Sequence, residues 1–258
     1  MSLILLERRD ALAIVRLNRP EKLNALSRAM LEGVSDAFRQ LERQSDLRAV
    51  ILTGSGEVAF CAGTDINELP ELNQNEAHAV SERGQAVCYQ IENCPVPVIA
   101  AINGLAAGGG CELALACHLR IASTNAQFTL PETKLGMIPA YGGTQRLPRE
   151  IGYGRALEMM LTGKVLSAEQ AYQLGLINQV ADPADVLTAA ESLAGTISTL
   201  APLSVRACLK AVTHGLELPL KEGMALETEL FASLFATQDM REGTRAFLEK
   251  RPPVFTGT

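Results

Sequence analysis

Short apolar runs alternate along the chain with longer stretches in which apolar residues recur at helical spacing. Leu3 to Leu6 and Ala11 to Leu17 are apolar and partly alternating, and Arg9-Asp10 between them predicts a strand pair turned at that point. Ser27 is placed to cap a helix whose Met30, Val34, Phe38 and Leu41 share one face, ending near Ser45. Ala49 to Thr53 reads as a buried strand. After a glycine-containing loop, Val80, Gly84, Val87 and Ile91 mark a second helix, closed by Pro95 and Pro97 before a second buried strand, Val98 to Ile102. Leu113 to Cys117 predicts a short helix, Leu119 to Ala122 a strand and Gln127 to Leu130 an extended piece, so the unit strand, loop, helix repeats. Ser167 with Gln170 matches a capping box opening a helix through Leu174, Gly175 ends it, and Ile177 to Val180 follows as a strand. Beyond Asp185 the pattern is helical only, over roughly 185–199, 203–213, 221–236 and 240–249. The expected organisation is an α/β body over residues 1–184 and a helical tail over 185–258.

Composition narrows this picture. With 258 residues, 47% of them apolar and 20% charged, and no block of like charge, the chain has enough apolar material for a substantial core. A net charge of −6 opposes the attraction to phosphate backbones on which non-specific nucleic-acid binding depends, so no nucleic-acid partner is expected. Cys61, Cys88, Cys94, Cys111, Cys117 and Cys208 are scattered without a CxxC pair, and His78, His118 and His214 lie far apart. Buried free thiols and no metal site are therefore expected. Glu7, Arg8, Arg9 and Asp10 interrupt the only early apolar run, and no stretch approaches the ~20 apolar residues of a membrane span. A soluble protein of a reducing, cytoplasmic compartment, with no membrane partner, is expected.

Three segments carry candidate chemistry. In the first, the strand Val98 to Ile102 runs through Asn103, Gly104, Leu105, Ala106 and Ala107 into Gly108-Gly109-Gly110-Cys111-Glu112. Glycines at a helix start cost about 1 kcal/mol each relative to alanine, which points to close approach of backbone to something else. An anionic oxygen suits that place, because the first N–H groups of a helix have no intrahelical partner. A tight packing turn accounts for the same glycines without a ligand. The second segment is the loop Phe60-Cys61-Ala62-Gly63-Thr64-Asp65-Ile66, which on its own reads as an Asp-containing turn or cap. Together two such loops offer one N–H each, the arrangement of an oxyanion hole. In the third, Glu132 follows Pro131 among apolar residues; a buried carboxylate there must be paired, hydrogen-bonded or neutralised. Glu112, by contrast, lies in the first turn of its helix, where the dipole favours its ionised form. Two such carboxyls in one site can be driven apart into an acid and a base.

The runs Arg19-Pro20-Glu21-Lys22-Leu23-Asn24-Ala25-Leu26, Ala62 to Ile66, Ala100 to Glu112, and Pro131-Glu132 through Gly142-Gly143-Thr144-Gln145-Arg146-Leu147 together resemble the enoyl-CoA hydratase/isomerase (crotonase) family. The likeness extends through Phe231, Phe235, Asp239, Glu242-Gly243 and Glu249-Lys250-Arg251. It implies an α/β spiral of ββα units and a C-terminal helical region that assembles as a homo-trimer, often paired into a hexamer. The implied substrate is an acyl-CoA thioester, with coenzyme A as part of that substrate and no separate cofactor. By position, the N–H groups of Thr64 and Gly109 would bind the thioester oxygen, Glu112 would activate water, and Glu132 would protonate the α-carbon. Ala62, Asp65, Ile66 and Ala140 would line the thioester site. Lys22 would meet a coenzyme A phosphate, and Lys250 its adenine end.

Both glutamates are present, which within the family favours hydration over isomerisation. Two departures stand out: Thr64 where alanine or glycine is commoner, and Ala140-Tyr141 ahead of Gly142-Gly143 where a glycine-rich run is commoner. They bear on substrate size. Glu132-Thr133-Lys134-Leu135 and Lys250-Arg251-Pro252-Pro253 also resemble the 3-methylglutaconyl-CoA hydratase branch, so a branched substrate is the alternative. A non-catalytic binding protein of the same fold, RNA binding included, is the reading from a different class; the acidic balance and the glutamate pair oppose it.

Overall fold

The computed structural model describes residues 2–258. Strands β1 (Ile4–Arg9) and β2 (Leu12–Leu17) form the expected hairpin, turned where Asp10 takes a left-handed conformation. Strands β3 (Ala49–Gly54), β5 (Val98–Ile102), β7 (Leu119–Ser123) and β10 (Gln179–Ala181) extend it in the order β1-β2-β3-β5-β7-β10, parallel from β2 onward. A second sheet holds β4 (Ala59–Cys61), β6 (Leu105–Ala107), β8 (Gln127–Thr129) and β9 (Leu166–Ser167). Each of β3, β5 and β7 thus feeds a short partner in the other sheet before a helix begins, giving the spiral of ββα units that the resemblance implied. The helices concerned are α2 (Gln74–Glu92), α3 (Gly109–Ala116) and the pair α4 (Gly143–Ile151) and α5 (Tyr153–Thr162).

Alternation along the parallel strands explains the layers. Val15, Val50, Leu52, Val98, Ala100 and Ile102 point into one core, shared with Met30, Val34, Phe38 and Leu41 of α1 (Arg28–Glu42). The intervening Ile14, Ala49, Ile51, Ile99, Ala101 and Ile121 point the other way and meet Val186, Ala190 and Ala194 of α7 (Val186–Ser198). Both faces being covered is why these strands read as continuous apolar runs rather than alternating ones. The helix α7 carries its stripe at four-residue spacing against the sheet. By packing it joins the body, although the sequence pattern placed residues from 185 onward in the tail.

Caps hold the helices where the sequence put them. The Ser27 hydroxyl accepts from the Met30 N–H, and Ser167 with Gln170 forms a reciprocal capping box at α6 (Ala168–Gln173). The tail continues as α8 (Pro202–Gly215), α9 (Leu220–Leu234) and α10 (Gln238–Glu249), with α8 packed against α9. Of the cysteines, five are buried and Cys208 on α8 is exposed, in contrast to the buried thiol expected there. Among the described residues no single helix is long and apolar enough to cross a membrane.

Candidate active site

The site begins with a bend. Leu23 and Asn24 both take left-handed backbone, and the fully buried Asn24 side chain anchors the turn: its Oδ1 accepts from the Arg19 N–H at 3.0 Å, and its Nδ2 donates to the carbonyls of Ser55 and Ala59 at 2.9 Å each. Asparagine tolerates that conformation better than most residues. The bend lays Leu23 to Leu26 beside the loop after β4. There the Ala62 N–H donates to Leu23 O, Leu26 N–H to Gly63 O at 2.7 Å, and Asp65 N–H to Leu26 O at 3.1 Å. Since the Gly63 carbonyl and Asp65 N–H both face Leu26, the N–H of Thr64 between them faces away. The Asp65 carboxylate is buried and accepts from the Arg19 guanidinium at 2.6 Å and from the Asn67 N–H, which holds it below the usual carboxylate range. Its role in the structure is to brace the loop.

The start of α3 meets this loop. Gly108, at φ 50°, donates its N–H to Thr129 O, and the helix opens at Gly109. Gly63, at φ 94°, lies so close that a Cβ there would fall 2.7 Å from Ala107 O and 3.2 Å from Gly109 N. Only glycine fits at 63, and in the facing loop a Cβ on Gly110 would fall 2.1 Å from Cys61 O, so the two loops approach backbone to backbone. Among the described residues, neither the Thr64 N–H nor the Gly109 N–H donates a hydrogen bond. Two backbone donors from adjoining loops are left free.

The carboxyls complete the site. Glu112 is 1% exposed, and its Oε1 accepts from the Tyr141 N–H at 2.8 Å and the Gly143 N–H at 2.7 Å. The loop carrying those donors is tied to α2: Ser81 Oγ and Gln85 Nε2 donate to Ala140 O, and Arg146 forms a two-pronged ion pair with Glu92 while donating to Tyr141 O. Burial pushes the Glu112 carboxyl up, against the pull of the Gly143 and Tyr141 N–H groups. The helix start alone therefore does not decide its charge, as the sequence reading supposed. Glu132 opens a single turn of tighter helix, Glu132–Leu135, and its Oε1 lies against Gly108, where a Cβ would fall 2.8 Å away. Its Oε2 is buried with no hydrogen-bond partner. Burial, with a further push from the charge of Glu112, raises its pKa to about 7. Burial thus raises both carboxyls, and Glu132 is the one that exchanges its proton near neutrality.

The remaining expected residues are distributed as follows. Ala62 and Ala140 spend backbone groups on positioning, Ile66 is half exposed, and Lys22 and Lys250 are exposed. Lys250 is the left-handed cap of α10, and neither lysine ammonium is hydrogen-bonded among the described residues. No three His, Cys, Asp or Glu side chains among the described residues converge as metal ligands. Given no role from the sequence were Arg19 and Asn24, which brace the first loop, and Gly143, which holds Glu112 together with the N–H of Tyr141, a residue read from the sequence only as bearing on substrate size. Tyr141 is itself buried and its hydroxyl accepts from Thr64 Oγ1 at 3.0 Å. Gly142-Gly143 was the one visible sign that backbone is used there.

Residues 7–258 match the family model described as enoyl-CoA hydratase/isomerase. The chain belongs to the enoyl-CoA hydratase/isomerase family. It is 42% identical over 252 residues to a crotonyl-CoA hydratase of Syntrophomonas wolfei, covering 98% of this chain and 97% of that one. To a short-chain-enoyl-CoA hydratase of Clostridium acetobutylicum it is 40% identical over 248 residues, covering 96% and 95%. A 1.8 Å crystal structure of an enoyl-CoA hydratase from Bacillus anthracis superposes with a TM-score of 0.96 at 39% identity, covering both chains fully. The family fold thus holds over the whole chain.

Proposed function

We propose that this enzyme adds water to short trans-2-enoyl-CoA thioesters, giving 3-hydroxyacyl-CoA. The observation that carries the reading is the unpaired, buried Glu132 carboxyl oxygen, raised to about 7, facing a site with a second carboxyl and two free N–H donors. The thioester oxygen accepts from the Thr64 and Gly109 N–H groups, which stabilise the charge it gains as the double bond is attacked. Glu112, with Oε1 held by two N–H groups, takes a proton from water as the water oxygen bonds to the β-carbon. Glu132 gives its proton to the α-carbon, so both additions come from the side of the carboxyl pair. Acid, base and oxyanion stabilisation are then all supplied by the chain, and coenzyme A enters only as part of the substrate. The exposed ammonium groups of Lys22 and Lys250 suit its phosphates and adenine end. Relatives named for short-chain and crotonyl thioesters support the chain length.

Hydration is read from the loss of enoyl absorbance across a panel of enoyl-CoA thioesters. Glu112→Gln and Glu132→Gln should each slow turnover roughly 10²–10⁴-fold while thioester binding persists. The double variant should be little worse than the poorer single one, as for groups acting on one water. A wild-type protein that leaves every enoyl thioester unchanged refutes the activity. Assembly follows the same reading: Val212, Leu216, Leu220, Met224 and Phe231, on α8, its C-cap and α9, are exposed, and a cleft of about 1890 Å³ lies between α2, the 138–142 segment with the start of α4, and α8. Such a surface suits a second and third copy of the chain. Sedimentation should give a trimer or hexamer; a stable monomer at micromolar concentration contradicts it.

A further inference from the structure

We infer that Tyr141 sets the length limit of the acyl group, its ring filling a slot beside both N–H donors that a longer chain would otherwise enter. The inference rests on the proposed thioester site. Tyr141 is 2% exposed and wedged between two glycines. A Cβ on Gly84 of α2 would fall 2.0–2.4 Å from ring carbons Cδ1, Cε1 and Cγ, and a Cβ on Gly109 would fall 2.8–2.9 Å from Cε2 and Cδ2. The ring therefore presents its Cδ1–Cε1 edge to the bare backbone of Gly84 and its Cδ2–Cε2 edge to Gly109, the residue of one oxyanion donor. Its hydroxyl reaches the residue of the second donor, Thr64. Burial pushes the phenol up to about 12, so it stays neutral and adds no charge to the site.

A ring so placed has little freedom to swing aside. Gly84 leaves no room behind it, and the backbone on either side is pinned, at Ala140 O by Ser81 and Gln85 and at Tyr141 O by Arg146. A thioester carbonyl received by the Thr64 and Gly109 N–H groups brings the first acyl carbons to this ring. Carbons beyond them meet packed aromatic surface rather than a channel. Meanwhile the Tyr141 N–H holds Glu112, and that bond is indifferent to the side chain. Gly84 is the counterpart of the ring: the three atoms nearest a Cβ there all belong to it.

The test separates binding from turnover. Saturated butyryl-CoA and octanoyl-CoA, which carry no double bond to hydrate, are titrated calorimetrically into wild type, Tyr141→Ala and Tyr141→Phe. One misfitting methylene is worth about 10–200-fold in a packed pocket. Wild type and Tyr141→Phe should prefer butyryl-CoA, and Tyr141→Ala should shift the octanoyl-to-butyryl affinity ratio at least tenfold toward octanoyl. A ratio of this kind does not depend on the fraction of protein that is active. Gly84→Ala should weaken binding of both thioesters in wild type, by forcing the ring into the site, and should have no effect in the Tyr141→Ala background. If Tyr141→Ala does not fold, Tyr141→Leu replaces it with the same expectation. An unchanged ratio in the folded variant overturns the inference. Crotonyl-CoA hydration is followed in parallel; its absence in wild type refutes the proposed reaction, and the saturated series still decides the role of the ring.

Discussion

The Glu132→Gln variant should gain stability relative to wild type as the pH rises from 5 to 8, whatever the sign of the difference at pH 5, and the structure gives the size of the change. The Glu132 carboxyl titrates at about 7 in the folded chain, against an ordinary 4.5. At 1.36 kcal/mol per pH step this displacement corresponds to at most about 3 kcal/mol. The side chain is half-buried, and solvent screening reduces the figure to about 1–2 kcal/mol. The sign follows from which state holds the proton. Below about 4.5 both folded and unfolded chains are protonated at this position and the contribution is fully present. Between about 4.5 and 7 the unfolded chain releases its proton first, so wild type loses stability, and the loss is complete above about 8. Glutamine has no such transition. Its amide replaces an oxygen that already lacks a partner, which adds a cost independent of pH. Urea unfolding of both proteins at equal concentration, at pH 5, 6, 7 and 8, isolates the effect as the change in their difference. Glu112 shifts in the same direction but is present in both and largely cancels. A difference that stays flat from pH 5 to 8, or that moves against the variant, refutes the burial argument for Glu132. With turnover measured alongside, wild-type activity should decline above about pH 7 as the proton to be delivered is lost.

Gly63→Ala should reduce turnover about 10²–10³-fold, because its Cβ cannot fit 2.7 Å from Ala107 O without separating the two donor loops; a folded variant with normal kcat would show that the loops need not touch. Arg19→Met should cost about 2–3 kcal/mol at neutral pH by leaving the buried Asp65 carboxylate without its cation. Asp65 is held low in the folded state, so that contribution is present above the unfolded carboxylate range and is lost as the pH falls. Denaturant curves at pH 7 and pH 3 check this, and an equal penalty at both would be inconsistent with an ionic origin. A chelator should leave the hydration rate unchanged, since the chain supplies acid, base and oxyanion donors; activity lost with chelator and restored by zinc or magnesium would disprove a metal-free reaction.

The long elements were legible because one rule governed each. Strands β3 and β5 are covered on both faces and appear as unbroken apolar runs, while Ser27 and the Ser167–Gln170 pair mark helix starts by side chains that can do little else. Of the second sheet only β8 was anticipated, as the extended piece Gln127 to Leu130. The strands of that sheet are two or three residues long, and Leu105-Ala106-Ala107 has neither alternation nor β-branched residues to signal extension. Helices α4 and α5 were hidden by their own punctuation, Gly142-Gly143 before, Pro148 within and Gly152 between, all of which read as loop. The last strand was placed at Ile177 to Val180 and lies at Gln179–Ala181, since Leu176 and Ile177 are apolar for burial in the core rather than for pairing. In α7 the stripe of Val186, Ala190 and Ala194 was visible, but nothing in it distinguishes a sheet from another copy of the chain as the surface covered.

Legibility of the site divides along a chemical line. Glu112 and Glu132 were legible because the roles proposed for them use side chains, which the sequence spells out. The groups that orient Glu112 are N–H groups, and every residue but proline has one, so their positions leave almost no trace. That silence has a consequence for how specificity can change. The Tyr141 N–H holds Glu112 whatever side chain residue 141 carries, while that side chain packs on Gly109 and meets Thr64. Catalytic geometry and acyl recognition thus meet in one residue yet depend on separate parts of it. On the proposed reaction, substitutions at 141 are free to alter which thioester fits without releasing the Glu112 carboxyl, provided Gly84 or its replacement matches the new side chain. A proline at 141 breaks both at once, since it removes the N–H along with the ring. Tyr141→Pro should therefore lose hydration of every chain length, whereas Tyr141→Ala should lose only the preference among them.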